Sequence, residues 1–482
     1  MNSQPVNQPL NHEPVSSAQQ QKFPENTSGA DASTKPDGPS IDQSALPRSA
    51  PIVPMANAKS TRSTADPSQP SVAALPGSFL PPTADTLPPP HFAIVPNAIP
   101  KKKDDSGITD DEIALYDRQI RLWGMNAQKR IQSSRILLIT MRALGNEIAK
   151  NLVLAGIGSL TILDDGLVNE ADFGAQFVLH EEDLPLGLNR AQAALPQVQK
   201  LNPRVKVVAD PEGVTRKDNH YFANFDVIIA TDLTPATLNF INTAARVHGK
   251  AFYAAGVHGL YGYIFNDLIE HTFVIRRDAG NVAAKIGPES RTRSIIDVKV
   301  SREDGKPIEH VTKQELYSTW FLASDVAGLP EDIARNARRK RAVSPILSCL
   351  RGLWEFQTAM ERLPSPVAAD LKMFVKIVQE KHAALGLPAE TIRSETINSF
   401  LQGLGTELPA VSAVLGGQLA QDVINVRGQT QQPIQNMVIF DAESCESNVY
   451  SLHPEGAVGK AQLRASEPEV VAKVAAKNGV DV

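Results

Sequence analysis

The sequence predicts an α/β fold: a mostly parallel sheet with flanking helices, a helical insertion and a disordered N-terminal tail. Three observations carry this. Ile136-Leu137-Leu138-Ile139 is an unbroken apolar run, the pattern of a strand buried on both faces. It is followed by a helix-like stretch closing at Gly156, then by a second strand, Leu160 to Leu163, ending in Asp164. That strand–helix–strand unit has a Rossmann-like plan. The third observation is recurrence, since strands are expected again at Val205–Ala209, Asp226–Ala230 and Ala251–Ala255, with a helix from Pro235 to His248.

The whole chain sets bounds. It has 482 residues, a net charge of −5 and 42% hydrophobic residues, enough for one or two globular domains beside disordered ends. No apolar run reaches membrane-span length and no h-region follows Met1, so a soluble protein without a secretory signal is expected. The mild acidity argues against a nucleic-acid partner, and nothing points to a membrane partner. The two cysteines, Cys349 and Cys445, are too few for a disulfide framework or a four-cysteine zinc site. A reducing cytosol or nucleus fits them.

Taken in order, residues 1–106 hold 19 of the 35 prolines and few aromatics, and are read as a disordered tail. Lys101-Lys102-Lys103 near its end is a weak import signal. The first globular part is assigned to 107–275. Thr109-Asp110-Asp111-Glu112 reads as a capping box, and Gly124 as a helix stop. Arg118 and Arg121 then share one face of a short capped helix. Gln128, Lys129 and Ile131 continue a second short helix before the strand Arg135–Thr140. Leu260–Phe265 and Thr272–Ile275 are expected to run antiparallel and close the sheet edge.

Charge and helical periodicity dominate 276–388, read as a mainly helical insertion with a flexible loop near Asp278–Arg293. Helices are expected at Pro330–Arg341 and Ala368–Leu385. Arg335-Asn336-Ala337-Arg338-Arg339-Lys340-Arg341 is its densest basic cluster, either a solvated helix face or an import or acidic-partner site. The chain returns to the first domain at 389–454. There a helix spans Ala410–Val426, with Gly416-Gly417 marking close packing, and a hairpin-like pair follows at Asn436–Asp441 and Asn448–Leu452. Residues 455–482 are read as a flexible tail.

The phosphate loop is degenerate. A G-x-G-x-x-G turn lets backbone approach phosphate, but here the six positions are Thr140-Met141-Arg142-Ala143-Leu144-Gly145. Only Gly145 survives, with Met141 and Arg142 filling the phosphate space. Asp164 raises a rival reading, because an acid about 20 residues past such a turn often binds the ribose of NAD. The missing glycines and the absence of a Tyr-x-x-x-Lys pair leave that dehydrogenase as a fold-level analogy.

The order Tyr116-Asp117-Arg118-Gln119-Ile120-Arg121-Leu122-Trp123-Gly124, met just before the first strand, resembles the ubiquitin-like-protein activating enzymes. The resemblance runs from about Ile108 to His453 and is closest to the cysteine-lacking subunits of the SUMO-activating members. It implies an adenylation-type domain that works as half of a heterodimer. The larger subunit would carry the catalytic cysteine and most of the ATP and Mg site, and a SUMO-type modifier would be the substrate. The family's first motif arginine, Arg118 here, would reach in trans onto the partner-bound ATP, a task suited to a permanently charged fork. Thr140, Arg142, Gly145 and Asp164 would be the remains of this chain's own site. Where the family's active halves carry a second acid and an Asn-Leu-Asn-Arg-Gln run, this chain has Asp165-Gly166 and Asp172-Phe173-Gly174-Ala175-Gln176, with Arg190 in place of a lysine. Asp232-Leu233-Thr234 does not reproduce the family's Asp-Asn magnesium ligands. Neither Cys349 nor Cys445 has the Pro-x-Cys-Thr context of the thioester cysteine. No metal site is expected in this chain. The equivalent NEDD8-activating subunit and a structural adaptor are the alternatives, and the nucleus is the expected location.

Overall fold

The computed structural model describes residues 109–184, 186–280, 283–303 and 305–454. The two tails and Lys101-Lys102-Lys103 lie outside the described residues. Three short helices, α1 (Asp110–Leu115), α2 (Asp117–Trp123) and α3 (Met125–Gln132), lead into the main sheet. Its first half alternates β1 (Arg135–Ile139), α4 (Ala143–Leu154), β2 (Ser159–Leu163), α5 (Arg190–Leu201) and β3 (Lys206–Asp210). The chain then passes through α6 (Asn219–Ala223), β4 (Val227–Thr231), α7 (Pro235–Val247), β5 (Ala251–His258) and β6 (Tyr261–Asp267).

The eight strands lie in the order β12-β11-β6-β5-β4-β1-β2-β3, with β11 (Met437–Asp441) and β12 (Glu446–Tyr450) supplied by the end of the described chain. β3, β2, β1, β4 and β5 are parallel; β6, β11 and β12 continue the sheet antiparallel. Side chains alternate between two cores. Leu137, Ile139, Ile228 and Phe252 face one way, Ile136, Leu138, Ile229 and Tyr253 the other, all of them buried. The strand order reverses between β1 and β4, so their C-terminal ends form the crevice where this kind of sheet binds ligands.

The capping box is present at Thr109, but the expected single helix to Gly124 breaks at Tyr116 (φ −100°, ψ 16°). The break turns the Tyr116 ring into the core, where it is 2% exposed.

The stretch expected to be helical from 276 begins instead as strands. β7 (Glu270–Asp278), β8 (Gly287–Pro288), β9 (Arg293–Glu303) and β10 (Lys306–Leu316) form a separate antiparallel sheet in the order β7-β10-β9-β8. β9 and β10 are rich in β-branched residues, and Gly305 just before β10 has φ +78°, the left-handed conformation that tight hairpin turns use. β7 therefore does not close the main sheet. Instead β11 pairs with β6, from Met437 with Phe265 through to Asp441 with Tyr261, and β12 forms the edge beyond it.

Helices follow: α8 (Glu331–Ala334), α9 (Ala337–Arg341), α10 (Ile346–Met360), α11 (Ala368–Ala384), α12 (Ser394–Gln402) and α13 (Pro409–Gly428). Pro330–Arg341 is thus two short helices, the second capped by Asn336, whose side chain accepts from the N–H groups of Arg338 and Arg339. Gly416 in α13 explains one of the two interior glycines. A Cβ there would lie 2.6 Å from the Cβ of Glu147 on α4. Gly417 faces open space.

Candidate functional site

The motif helix α2 is anchored along one side. The Tyr116 hydroxyl accepts from Asn202 Nδ2 at 2.9 Å, and its ring lies where a Cβ on Gly156 would sit, 2.5 Å away. Gln119 Nε2 donates to the Leu154 carbonyl at 3.4 Å. Trp123 Nε1 donates to Gln128 Oε1 at 2.9 Å, and Gln128 Nε2 donates in turn to the Ala155 carbonyl. Of the two arginines, Arg121 is held by Asp117 at 3.0 Å. Arg118 is exposed and makes no ion pair or hydrogen bond among the described residues. Tyr, Gln and Trp of the motif therefore fix the helix, and its guanidinium at Arg118 is left outward.

The second site lies at the β1/β4 crevice. Thr140, where a glycine-rich loop has its first glycine, has φ +76°. This is the left-handed region that glycine enters without cost. Met141 is fully buried and its N–H donates to Asp164 Oδ2 at 2.7 Å. Gly145 is needed, because a Cβ there would meet the Thr140 carbonyl oxygen at 2.2 Å.

Asp164, the acid that would bind a ribose, is saturated. Oδ2 accepts from Met141 N–H and from Arg190 Nε at 3.0 Å; Oδ1 accepts from Gly166 N–H at 2.8 Å and Arg190 Nη2 at 3.2 Å. Those bonds use all four of its lone-pair sites. Arg190 also reaches Asp172 at 3.1 Å. Burial works to lower the Arg190 pKa, but Asp164 and then Asp172 outweigh it, so the guanidinium is raised and stays charged. Gln176 Oε1 accepts from the N–H groups of Val178 and Leu179 at 2.8 and 2.9 Å.

The position that phosphate would take is filled by a residue distant in sequence, Glu407. Its Oε1 accepts from Leu144 N–H at 3.2 Å, and its Oε2 pairs with Arg142 Nε at 3.2 Å. Arg142 also donates to the Gly405 carbonyl at 3.4 Å. Asp232 adds a second carboxylate. Its Oδ1 accepts from Val257 N–H at 3.2 Å and its Oδ2 has no partner. Burial, reinforced by Glu407 and opposed by Arg142, pushes Asp232 up to about 7. His258 is lowered to about 4 by burial and then by Arg142, so it is neutral, with Nδ1 facing the Gly405 N–H at 3.4 Å.

These residues do not fit a nucleotide. The ribose acid is paired, the phosphate position holds a carboxylate, and two carboxylates lie near one guanidinium. Calorimetric titration of ATP or NAD into the chain alone is expected to show no binding in the micromolar range; saturable binding of either would contradict this account of the crevice. A cleft of about 1260 Å³ lies elsewhere, between α13, β12 and the second sheet, walled by Arg291, Gln421, Gln435 and His453.

The two cysteines sit in unlike surroundings. Cys349 is buried within α10, where burial pushes its thiol far above the ordinary range. Cys445 is exposed in the β11–β12 turn, with Sγ donating to the Ala442 carbonyl at 3.5 Å.

Of the residues singled out in the sequence, Thr140, Arg142, Gly145 and Asp164 are gathered into one crevice, and Arg118 stands apart on an exposed helix face. Sequence reasoning missed Glu407 and the saturation of Asp164 by Arg190. The signal for the second was the arginine in place of a lysine; for the first there was none.

The ThiF family model matches residues 116–456. DNA damage tolerance protein RHC31 of Saccharomyces cerevisiae is 35% identical over 339 residues, covering 69% of this chain and 95% of that protein. SUMO-activating enzyme subunit 1 of Xenopus tropicalis is 33% identical, over 71% of this chain and 96% of its own length. The protein of that name from Homo sapiens is 32% identical, over 74% and 100% respectively.

Proposed function

The chain belongs to the ThiF family, and from that premise we propose that it is the non-thioester half of a two-chain SUMO-activating enzyme. The pair uses ATP and Mg to adenylate the C-terminal carboxylate of the modifier, releasing pyrophosphate. It then passes the modifier to a cysteine on the larger subunit. The observation that carries this reading is the contrast within the chain. Its own crevice is closed by Glu407 and by the Asp164–Arg190 pair, while Arg118 is free on a rigidly anchored helix. A chain that helps adenylation without holding the nucleotide needs that combination. In this proposal Arg118 acts on ATP and Mg held mainly by the partner subunit.

The names of the relatives favour SUMO over NEDD8 as the modifier. Residence in the nucleus is part of the proposal. Its support is the exposed basic segment Arg335–Arg341, in and just before α9, although Arg335, Arg339 and Arg341 pair with Glu331, Asp332 and Glu390. Imaging of a tagged chain tests it.

Co-purification with identification of the bound partner and its modifier tests the central claim. Recovery of the chain alone, or with a NEDD8-specific partner, would overturn it. The cysteines give a second test. Cys349→Ser with Cys445→Ser is expected to leave the SUMO thioester on the partner intact in the reconstituted pair. Loss of that thioester from a folded variant would move the thioester site to this chain.

A further inference from the structure

In a sheet of this plan, the N-terminus of the helix after the first strand is where backbone N–H groups and the helix dipole hold phosphate. In this chain that position, at the start of the 12-residue α4, is taken by the chain itself. The Glu407 side chain is 7% exposed and bridges Leu144 N–H and Arg142 Nε, each at 3.2 Å. Glu407 is carried by residues 403–408, the connection between α12 and α13. That connection is laid against the β5–β6 turn. Gly259 N–H donates to the Thr406 carbonyl at 2.9 Å, and a Cβ on Gly259 would lie 2.8 Å from the Gly403 Cα.

We propose that Glu407 is an internal ligand: the 403–408 connection is a strap that plugs an anion site still able to take a phosphate-type anion. The cradle's parts are the α4 N-terminus, the Arg142 guanidinium and the Gly145 backbone, which approaches Thr140 too closely for any side chain. An anion is seated there already, supplied by the chain. Asp232 lies near enough to feel the charges of both Glu407 and Arg142, with Oδ1 on Val257 N–H and Oδ2 unpartnered, but makes no ion pair with Arg142 among the described residues. Removing Glu407 alone leaves the Asp232 carboxylate near Arg142, so the cradle becomes net positive only when both carboxylates are neutralised. The internal anion is one of several ties on the strap: Arg142 also donates to the Gly405 carbonyl, and the Gly405 N–H donates to His258 Nδ1.

The site lies within this chain, so neither partner nor modifier enters the test. Inorganic pyrophosphate is titrated calorimetrically into the purified full-length chain and its Asp232→Asn/Glu407→Gln variant. Wild type is expected to show no saturable binding. The double variant is expected to bind saturably, and adding Arg142→Ala should weaken that binding about tenfold or more, since a charge-assisted bond is lost. A folded double variant that binds no pyrophosphate overturns the proposal, as does binding that survives Arg142→Ala. Hydrogen exchange on the single Glu407→Gln variant tests the strap separately. Gln keeps the acceptor for Leu144 N–H but loses the ion pair, so strap amides 404–407 should exchange about tenfold or more faster than in wild type. Unchanged exchange in that variant overturns the internal-ligand role, whether or not the double variant folds.

Discussion

Arg118→Ala is expected to lower ATP–pyrophosphate exchange by the reconstituted heterodimer at least ~10²-fold while leaving the two subunits associated. Adenylation places charge on the α-phosphate and on the departing pyrophosphate. A guanidinium fixed beside that charge stabilises it without reorganising, and arginines supplied in trans to other phosphoryl transfers contribute roughly 10³–10⁵ in rate. Fixation is the structural half of the argument. Tyr116, Gln119 and Trp123 hold α2 from the inner side, so Arg118 projects from a rigid platform. Arg121, the neighbouring guanidinium, is tied to Asp117. Arg118→Lys should recover little, because the ammonium keeps charge but loses the planar fork. Association should persist, since one exposed side chain is a small part of a subunit interface. Wild-type exchange by Arg118→Ala would favour a structural adaptor. Subunit association is measured on the same samples, and its loss would place Arg118 in the interface instead.

The second large effect is on stability. Asp267, at the end of β6, is fully buried, and its carboxylate is held by Arg246 Nε at 2.6 Å, Arg246 Nη2 at 3.0 Å and Asn242 Nδ2 at 2.8 Å. The Ile269 N–H adds a fourth bond at 3.0 Å. Arg246 also donates to the Tyr317 carbonyl, so one guanidinium ties α7 and the end of β6 to the exit of β10. Arg246→Ala leaves a carboxylate buried without its counter-charge, at an expected cost of ~3–5 kcal/mol. A denaturant titration of the chain measures it. The companion Arg246→Met/Asp267→Leu should recover most of the loss, because an apolar pair has no charge to desolvate. A shift below ~1 kcal/mol for Arg246→Ala would mean that water reaches Asp267 and that the pair is not a buried one.

Much of the fold was readable because its signals are local. The apolar run at Ile136–Ile139, the helix closing near Gly156 and the strand ending in Asp164 each fall within a few residues, and the structure has β1, α4 and β2 there. The strands at 293–316 were locally readable too, in their β-branched residues and the Asp304-Gly305 dipeptide. They were hidden by the weight given to charge. A strand on a partly solvated sheet carries charged residues at every second position, as Asp297 and Lys299 do in β9, and charge alone does not distinguish that from a helix face. The crevice was half readable. Lost glycines are visible one by one, whereas Glu407 reaches Leu144 across 263 residues of chain. No spacing rule covers a contact of that range. The pairing of Asp164 with Arg190, 26 residues apart, lay in between. The replacement of lysine by arginine was visible, but its geometry was not.

The late arrival of β11 also bears on how the chain is made. β6 is synthesised roughly 170 residues before the strand that covers its outer edge. At ~5–20 residues per second, ribosomes take on the order of 10–30 s to cross that gap. Through that interval a fully buried strand of the finished protein, Tyr261–Asp267, has one row of backbone donors and acceptors unpaired. Such an edge recruits other chains. In mid-synthesis the nascent polypeptide therefore carries an uncovered edge, and a ribosome stalled before Met437 leaves a product that lacks the strand covering it.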